Sequence, residues 1–273
     1  MKKLLLVFDG AHFSEGAFKM ANFLHEQEPM MITGIFLQPI DYRDMVGYSS
    51  MGAASPVSVR PYPTDESTIT QNMARFAERC QHAGMEFRSH RDTDMFALQE
   101  LQKESRFADL MILSSEIFYD NISKEQPNDY LKRILRQTEC PVLLVPENYS
   151  LPSKILLAYD GKPEAVYAIK QFTYLFPQCY EWDTKLITLE EEGEEFPHQD
   201  LIIELASKHF ANLTMEIIND ESKKTFHTRI KSHKEYMLVA GAFGRTELSH
   251  IFNRSFVSDV IGDHSVVVFV CHK

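Results

Sequence analysis

Lys3-Leu-Leu-Leu-Val-Phe-Asp-Gly10 and Lys154-Ile-Leu-Leu-Ala-Tyr-Asp-Gly161 are one pattern written twice. Each is an apolar run of the length of a buried strand, ended by Asp-Gly, a pair that favours a turn. The register continues beyond the run: Ala17 falls against Ala168, Lys19 against Lys170, Phe23 against Tyr174 and Leu24 against Leu175. Both runs lead into an amphipathic helix. Phe13, Ala17, Met20 and Leu24 share one face of the first, and Ala165, Ile169, Phe172 and Phe176 share one face of the second. Pro163 suits a first helical turn, where its missing N–H costs nothing.

The far ends of the two halves also correspond. Asp109-Leu-Met-Ile-Leu113 parallels Tyr236-Met-Leu-Val-Ala240, and Pro141-Val-Leu-Leu-Val145 parallels Ser265-Val-Val-Val-Phe-Val270. A repeat this long is a duplicated domain, not a solenoid unit. The polar, proline-bracketed stretch Pro146 to Ser153 is the expected boundary, dividing the chain into domains 1–148 and 152–273.

Between these landmarks, strands alternate with helices. In the first half we expect strands over Met30–Leu37, Met85–Ser89, Leu110–Leu113 and Val142–Val145, with helices over Ser67–His82, Asp94–Ser105 and Asp129–Gln137. Ser67 is a plausible helix cap. Residues 39–66, rich in Gly, Ser, Pro and Tyr, read as a long loop, either plain surface or a lid over the first-half cleft. The second half repeats the order with strands over Lys185–Leu189 and Leu213–Ile218 and helices over His198–Phe210 and Thr225–Ser232; Glu190 to Glu195 is an acidic, solvated loop. Such alternation implies parallel sheets covered on both faces, with ligands at the carboxyl ends of the strands. The fold class is α/β: two tandem doubly wound, five-stranded, Rossmann-like domains.

Composition narrows the function. The 273 residues are 44% hydrophobic and 25% charged, as in a globular protein. Asp9 ends the N-terminal apolar run too early for a signal peptide, and no run reaches membrane-spanning length. The expected compartment is the cytoplasm, with no membrane partner. A net charge of −11 disfavours nucleic acid, whose phosphates need a basic surface. Cys80, Cys140, Cys179 and Cys271 lie far apart without a CxxC, which suits buried thiols in a reducing compartment. The eleven histidines show no HExxH or zinc spacing, and no nucleophile elbow or P-loop lysine signature is present. Nothing nominates a catalytic base, so the expectation is a protein that is not an enzyme.

One stretch carries ligand chemistry. The run Met237 to Ala240 leads into Gly241-Ala-Phe-Gly244, and nine residues later into Arg254-Ser255-Phe256, with Val257, Val260 and Ile261 at helical spacing. A strand, a glycine-bearing loop and a serine-opened helix together make a potential anion site, because backbone N–H groups and the helix N-terminus can converge on a phosphate.

This segment resembles the nucleotide loop of the universal stress protein family, whose pattern is G-x-x-G, nine residues, then G followed by S or T. Gly241, Gly244 and Ser255 match; Arg254 stands where the family has its third glycine. The resemblance covers nearly the whole chain as a tandem and implies the adenine nucleotide alpha hydrolase-like form of the fold. It implies that Asp160 lies near an adenosine and that backbone around Ile187 and Thr188 reads the adenine. Gly241, Gly244, Ser255 and Phe256 would then hold phosphates. The cofactor so implied is ATP or another adenine nucleotide, with magnesium or without it. Asp160-Gly161 also reads as an ordinary turn, and Ser255 as a plain helix cap.

Arg254 leaves two outcomes open. Its Cβ and long side chain obstruct close backbone approach, whereas its guanidinium can grip phosphate bidentately; Arg245 can do likewise. The first half has Ser114-Ser-Glu-Ile117 where the second has Gly-Ala-Phe-Gly, so its nucleotide site is expected to be lost. Three functions follow: regulatory nucleotide binding in the second half, a nucleotide-independent interaction scaffold, or slow ATP hydrolysis, for which no water-positioning group is identifiable. The closing strands Pro141–Val145 and Ser265–Val270 are expected to pair with each other inside the chain, as they pair between subunits in single-domain relatives. That makes an intramolecular pseudo-dimer, with a further homodimer left open.

Overall fold

Ten strands form one sheet, the central ones apolar runs and the edge strands mixed. The computed structural model describes residues 2–37, 66–92, 97–116, 134–189, 195–241 and 256–271. In the first half the order is β1 (Lys2–Asp9), α1 (Glu15–Gln27), β2 (Met30–Leu37), α2 (Glu66–His82), β3 (Glu86–Asp92), α3 (Ala97–Ser105), β4 (Leu110–Ser114) and β5 (Val142–Val145), with residues 134–137 helical before β5. The second half follows with β6 (Lys154–Ala158), α4 (Pro163–Leu175), a 3-10 turn (Pro177–Glu181), β7 (Asp183–Leu189), α5 (Gln199–Ala206), β8 (Asn212–Ile218), α6 (Asp220–Ser232), β9 (Tyr236–Gly241), α7 (Phe256–Gly262) and β10 (Val267–Cys271).

The sheet order is β3-β2-β1-β4-β5-β10-β9-β6-β7-β8. Each half therefore carries the same local order, third-second-first-fourth-fifth, and every pairing within a half is parallel. The halves meet where β5 and β10 pair antiparallel, Val142 against Val270 and Leu144 against Val268. The two closing strands thus pair within the chain, as the repeat suggested.

Because neighbouring side chains on a strand point to opposite faces, each strand feeds two cores. Leu4, Leu6 and Phe8 of β1, with Ile155 and Leu157 of β6, join α1, α2, α4 and α5 on one face. Leu5 and Val7, with Leu156, join α3, α6, α7 and residues 134–135 on the other. Burying a Leu, Ile or Phe completely is worth about 1.5–3 kcal/mol. The edge strands β3 and β8 are partly exposed and carry polar residues such as Glu86, Arg88 and Glu216, which discourage further pairing.

Helix starts follow from local chemistry. The Ser14 hydroxyl caps α1 by accepting the Ala17 N–H at 3.0 Å, and Phe13 packs on Phe18 with ring centroids 5.8 Å apart, a hydrophobic staple. Phe13 therefore precedes the helix instead of lying on its face. Lys162 is the N-cap of α4 and Pro163 its first residue, with no side-chain cap. Glu66 opens α2, so Ser67 lies inside its first turn and not at the cap. The rest of the 39–66 loop lies outside the described residues, as do the start of the 129–137 helix and most of the acidic run 190–195.

Candidate functional site

The carboxyl ends of β1 and β6 carry the same turn. In the first half, Asp9 Oδ1 accepts the Ala11 N–H at 2.9 Å; in the second, Asp160 Oδ1 accepts the Lys162 N–H at 3.1 Å. Each aspartate therefore folds its own backbone, which is the ordinary structural role of the residue. Their second oxygens differ in setting. Asp9 Oδ2 lies 2.8 Å from His12 Nδ1 and its side chain is 7% exposed. Asp160 Oδ2 lies 3.4 Å from Lys162 Nζ and its side chain is 41% exposed, so its carboxylate faces the solvent at the strand end.

The first half places a carboxylate of its own at the start of α1. Glu147, two residues past β5, accepts hydrogen bonds from the Ser14 hydroxyl, from the Gly16 N–H at 3.1 Å and from the Ser114 hydroxyl at 3.1 Å. Its carboxylate thus sits against the N-terminus of α1 and the end of β4, favoured there by the helix dipole. Tyr149 follows, buried, and donates its hydroxyl to the Gly16 carbonyl at 3.2 Å. Burial, then the Glu147 charge, pushes the Tyr149 phenol above its usual range. Ser115 is engaged as well, 3.0 Å from His264 Nδ1 of the other half. Within the stretch read from sequence as the domain boundary, Pro146, Tyr149 and Pro152 are buried. Glu147 carried no sequence signal, because its partners lie 33 to 133 residues away.

The second half is built differently. Parallel pairing brings the ends of β7, β6 and β9 side by side, Ala158 against Ile187 and Leu157 against Val239. Asp160, the Ile187-Thr188 backbone and Gly241 therefore share one end of the sheet. Ile187 is buried and its carbonyl accepts the Tyr159 N–H at 2.9 Å; Thr188 is also buried. Tyr159 is buried as well, and burial first, then the Asp160 charge, raises its phenol. At Gly241 a Cβ would stand 2.5 Å from the Glu164 carbonyl carbon and 2.6 Å from the Ala165 nitrogen. That glycine is what lets β9 end against the first turn of α4. Gly161, at φ +75°, lets Pro197 approach, since a Cβ there would come within 2.6 Å of the proline ring. Gly244, Arg254 and Ser255 lie outside the described residues, and Phe256 opens α7.

Solved structures match this arrangement from end to end. A universal stress protein from Archaeoglobus fulgidus superposes with a TM-score of 0.62 at 16% identity, over 100% of this chain and 96% of its own. The chain has the universal stress protein fold. A protein assigned as a universal stress protein from Pseudomonas aeruginosa gives 0.57 at 14% identity, with 100% and 93% coverage. A functionally unknown protein from the same species gives 0.55 at 13%, with 100% and 92% coverage. No family model and no curated protein matches the sequence. Because these matches span whole chains, the universal stress fold holds for the ten-stranded pair of half-sheets together. Among the described residues no helix is long and apolar enough to cross a membrane.

Proposed function

We propose that this chain is a tandem universal-stress-type protein that binds an adenine nucleotide, ATP foremost, at the carboxyl ends of β6, β7 and β9. The reading is carried by one contrast. The N-terminus of α1 is capped by Ser14 and occupied by Glu147, whereas the N-terminus of α4 has no side-chain cap and is met by the glycine end of β9. Orphan N–H groups at an uncapped helix start, beside an end-of-strand glycine, suit an anion. In this reading the exposed Asp160 carboxylate accepts ribose hydroxyls and backbone near Thr188 reads the adenine. Gly241, Gly244, Ser255 and Phe256 cradle the phosphates, with Arg254 as their charged ligand and magnesium as an optional companion. The role is regulatory, not catalytic: occupancy biases a conformation or a partner surface.

Calorimetric titration of nucleotide-stripped protein with ATP, ADP and AMP in the presence of magnesium tests this. Saturable binding near one site per chain, lost in Gly244→Val, is expected. Absence of heat at millimolar nucleotide, with the fold intact, overturns it. A second reading, a nucleotide-independent scaffold, draws on the first half, where the same fold stands with its own carboxylate in the anion position. Under that reading Arg254→Gly creates ATP binding that the natural protein lacks.

A further inference from the structure

A groove of about 390 Å³ lies between α4 and α5, on the face of the sheet away from α6 and α7. Val166 and Pro163 of α4 and Leu201, Ile202 and Leu205 of α5 form its walls, and Tyr159 and Gly161 line its upper end. Leu201 is 67% exposed, an apolar side chain left uncovered beside an apolar slot. Among the described residues its charged or titratable lining groups besides tyrosine are Lys170 and His198, with no Asp or Glu. In a chain of net charge −11, a groove walled by aliphatic side chains and bounded by two basic ones is selective by chemistry.

The first half provides an internal control. There α2 has 17 residues against 8 in α5, and it closes over α1. Arg75 and Arg79 pair with Glu15, and their guanidiniums stack on Phe13 and Phe18 at 4.6 and 4.4 Å. In the repeat register Val166 stands where Glu15 stands, so the ion pairs have no counterpart. Lys170 stands where Lys19 stands. Lys19 donates to the Tyr149 carbonyl at 3.4 Å and lies over its ring at 4.8 Å. The Lys170 ammonium has no partner among the described residues, and it lies half-buried at the lower end of the groove.

We propose that this groove binds a linear aliphatic carboxylate, the methylene chain lying between α4 and α5 and the carboxylate on Lys170. From Pro163 to Lys170 the slot runs two helical turns, about 10.5 Å at 1.5 Å per residue. That length suits an extended chain of about eight carbons, given C–C bonds near 1.5 Å in zigzag. Methylene burial supplies the affinity and the ammonium selects the head group. The upper end of the groove adjoins the nucleotide position argued above, but its apolar walls and Lys170 lie further along α4 and α5, and the proposal does not depend on the nucleotide reading.

The test is titration of the full chain with octanoate and with octylamine, without nucleotide, followed by calorimetry and by chemical shifts. Octanoate is expected to saturate one site, with octylamine at least tenfold weaker. Lys170→Glu is expected to weaken octanoate at least tenfold and to reverse the preference toward the amine, which a purely structural lysine would not do. Val166→Trp fills the slot and abolishes both. Leu201→Asp, at an exposed position that folding tolerates, repels octanoate if the tryptophan variant fails to fold. Equal binding of acid and amine, octanoate affinity unmoved by Lys170→Glu, or no saturation at millimolar octanoate by folded protein overturns the proposal.

Discussion

Glu147 accepts hydrogen bonds from three donors: the Ser14 and Ser114 hydroxyls and the Gly16 N–H. Leaving buried donors without an acceptor costs about 1–3 kcal/mol. Glu147→Ala is therefore expected to lower unfolding free energy by about that amount in urea titration, with Glu147→Gln milder; an unchanged midpoint would mean that solvent replaces the carboxylate freely. A second residue acts through pH. His90 Nε2 lies 2.8 Å from Glu104 and 3.7 Å from Asp92, and these carboxylates, Asp92 foremost, push the imidazole up to about 10 against opposing burial. A group whose pKa rises on folding stabilises fully below its unfolded value, near 6.5, and loses that contribution as pH climbs through its folded value. Wild-type stability should then fall between pH 7 and pH 10 relative to His90→Gln, and parallel profiles would refute the coupling. At this scale the sequence was partly legible. Asp9 and Asp160 were readable because a turn-forming residue ending a strand is a local signal. Glu147 was not, because nothing local distinguishes it from a linker acid.

At the scale of elements, strands were easier to read than helix contacts. β2 and β5 fall on the expected residues because a run buried on both faces is apolar throughout. β3 runs on to Asp92, past the expected Ser89, because an edge strand pairs through its backbone and its charged side chains mask it. The 3-10 turn after α4 left no periodic trace, being too short to show one. The decisive contact between elements is the one at Gly241. The sequence marks that glycine as a place where the backbone must be free, and the structure adds that the first turn of α4 occupies the space of its missing Cβ. Overpacking of this kind costs about 1–3 kcal/mol. Gly241→Ala is expected to destabilise by that amount and to displace the start of α4, seen as shifted amide resonances at Glu164 and Ala165. A variant as stable as wild type with those resonances unmoved would show that β9 and α4 do not press on each other.

At the scale of the whole molecule, the duplication was legible from two copies of one strand, and the joint between them is what makes a single sheet. Pairing of β5 with β10 covers the two edges that the repeat would otherwise leave open, so the sheet ends only in the charged strands β3 and β8. Both hydrophobic clusters run across the joint: Leu143 and Val145 share one with Val267 and Phe269, and Leu144 shares the other with Val268. Polar contacts cross it as well, from Lys2 Nζ to the Leu175 carbonyl at 2.8 Å and between His264 and Ser115. Two halves linked only by a tether would unfold separately, whereas a shared core makes each half's stability depend on the other's. The full chain is therefore expected to melt in one transition whose calorimetric and van't Hoff enthalpies agree. Amides of Leu143 and Phe269 should exchange with solvent as slowly as those of Leu5 and Leu157, at the centres of the two half-sheets. Two separated transitions, with the β5 and β10 amides exchanging first, would instead show that the joint holds the halves together without coupling them. A ligand bound in the second half could then not be felt in the first, because the shared core is the physical path between them.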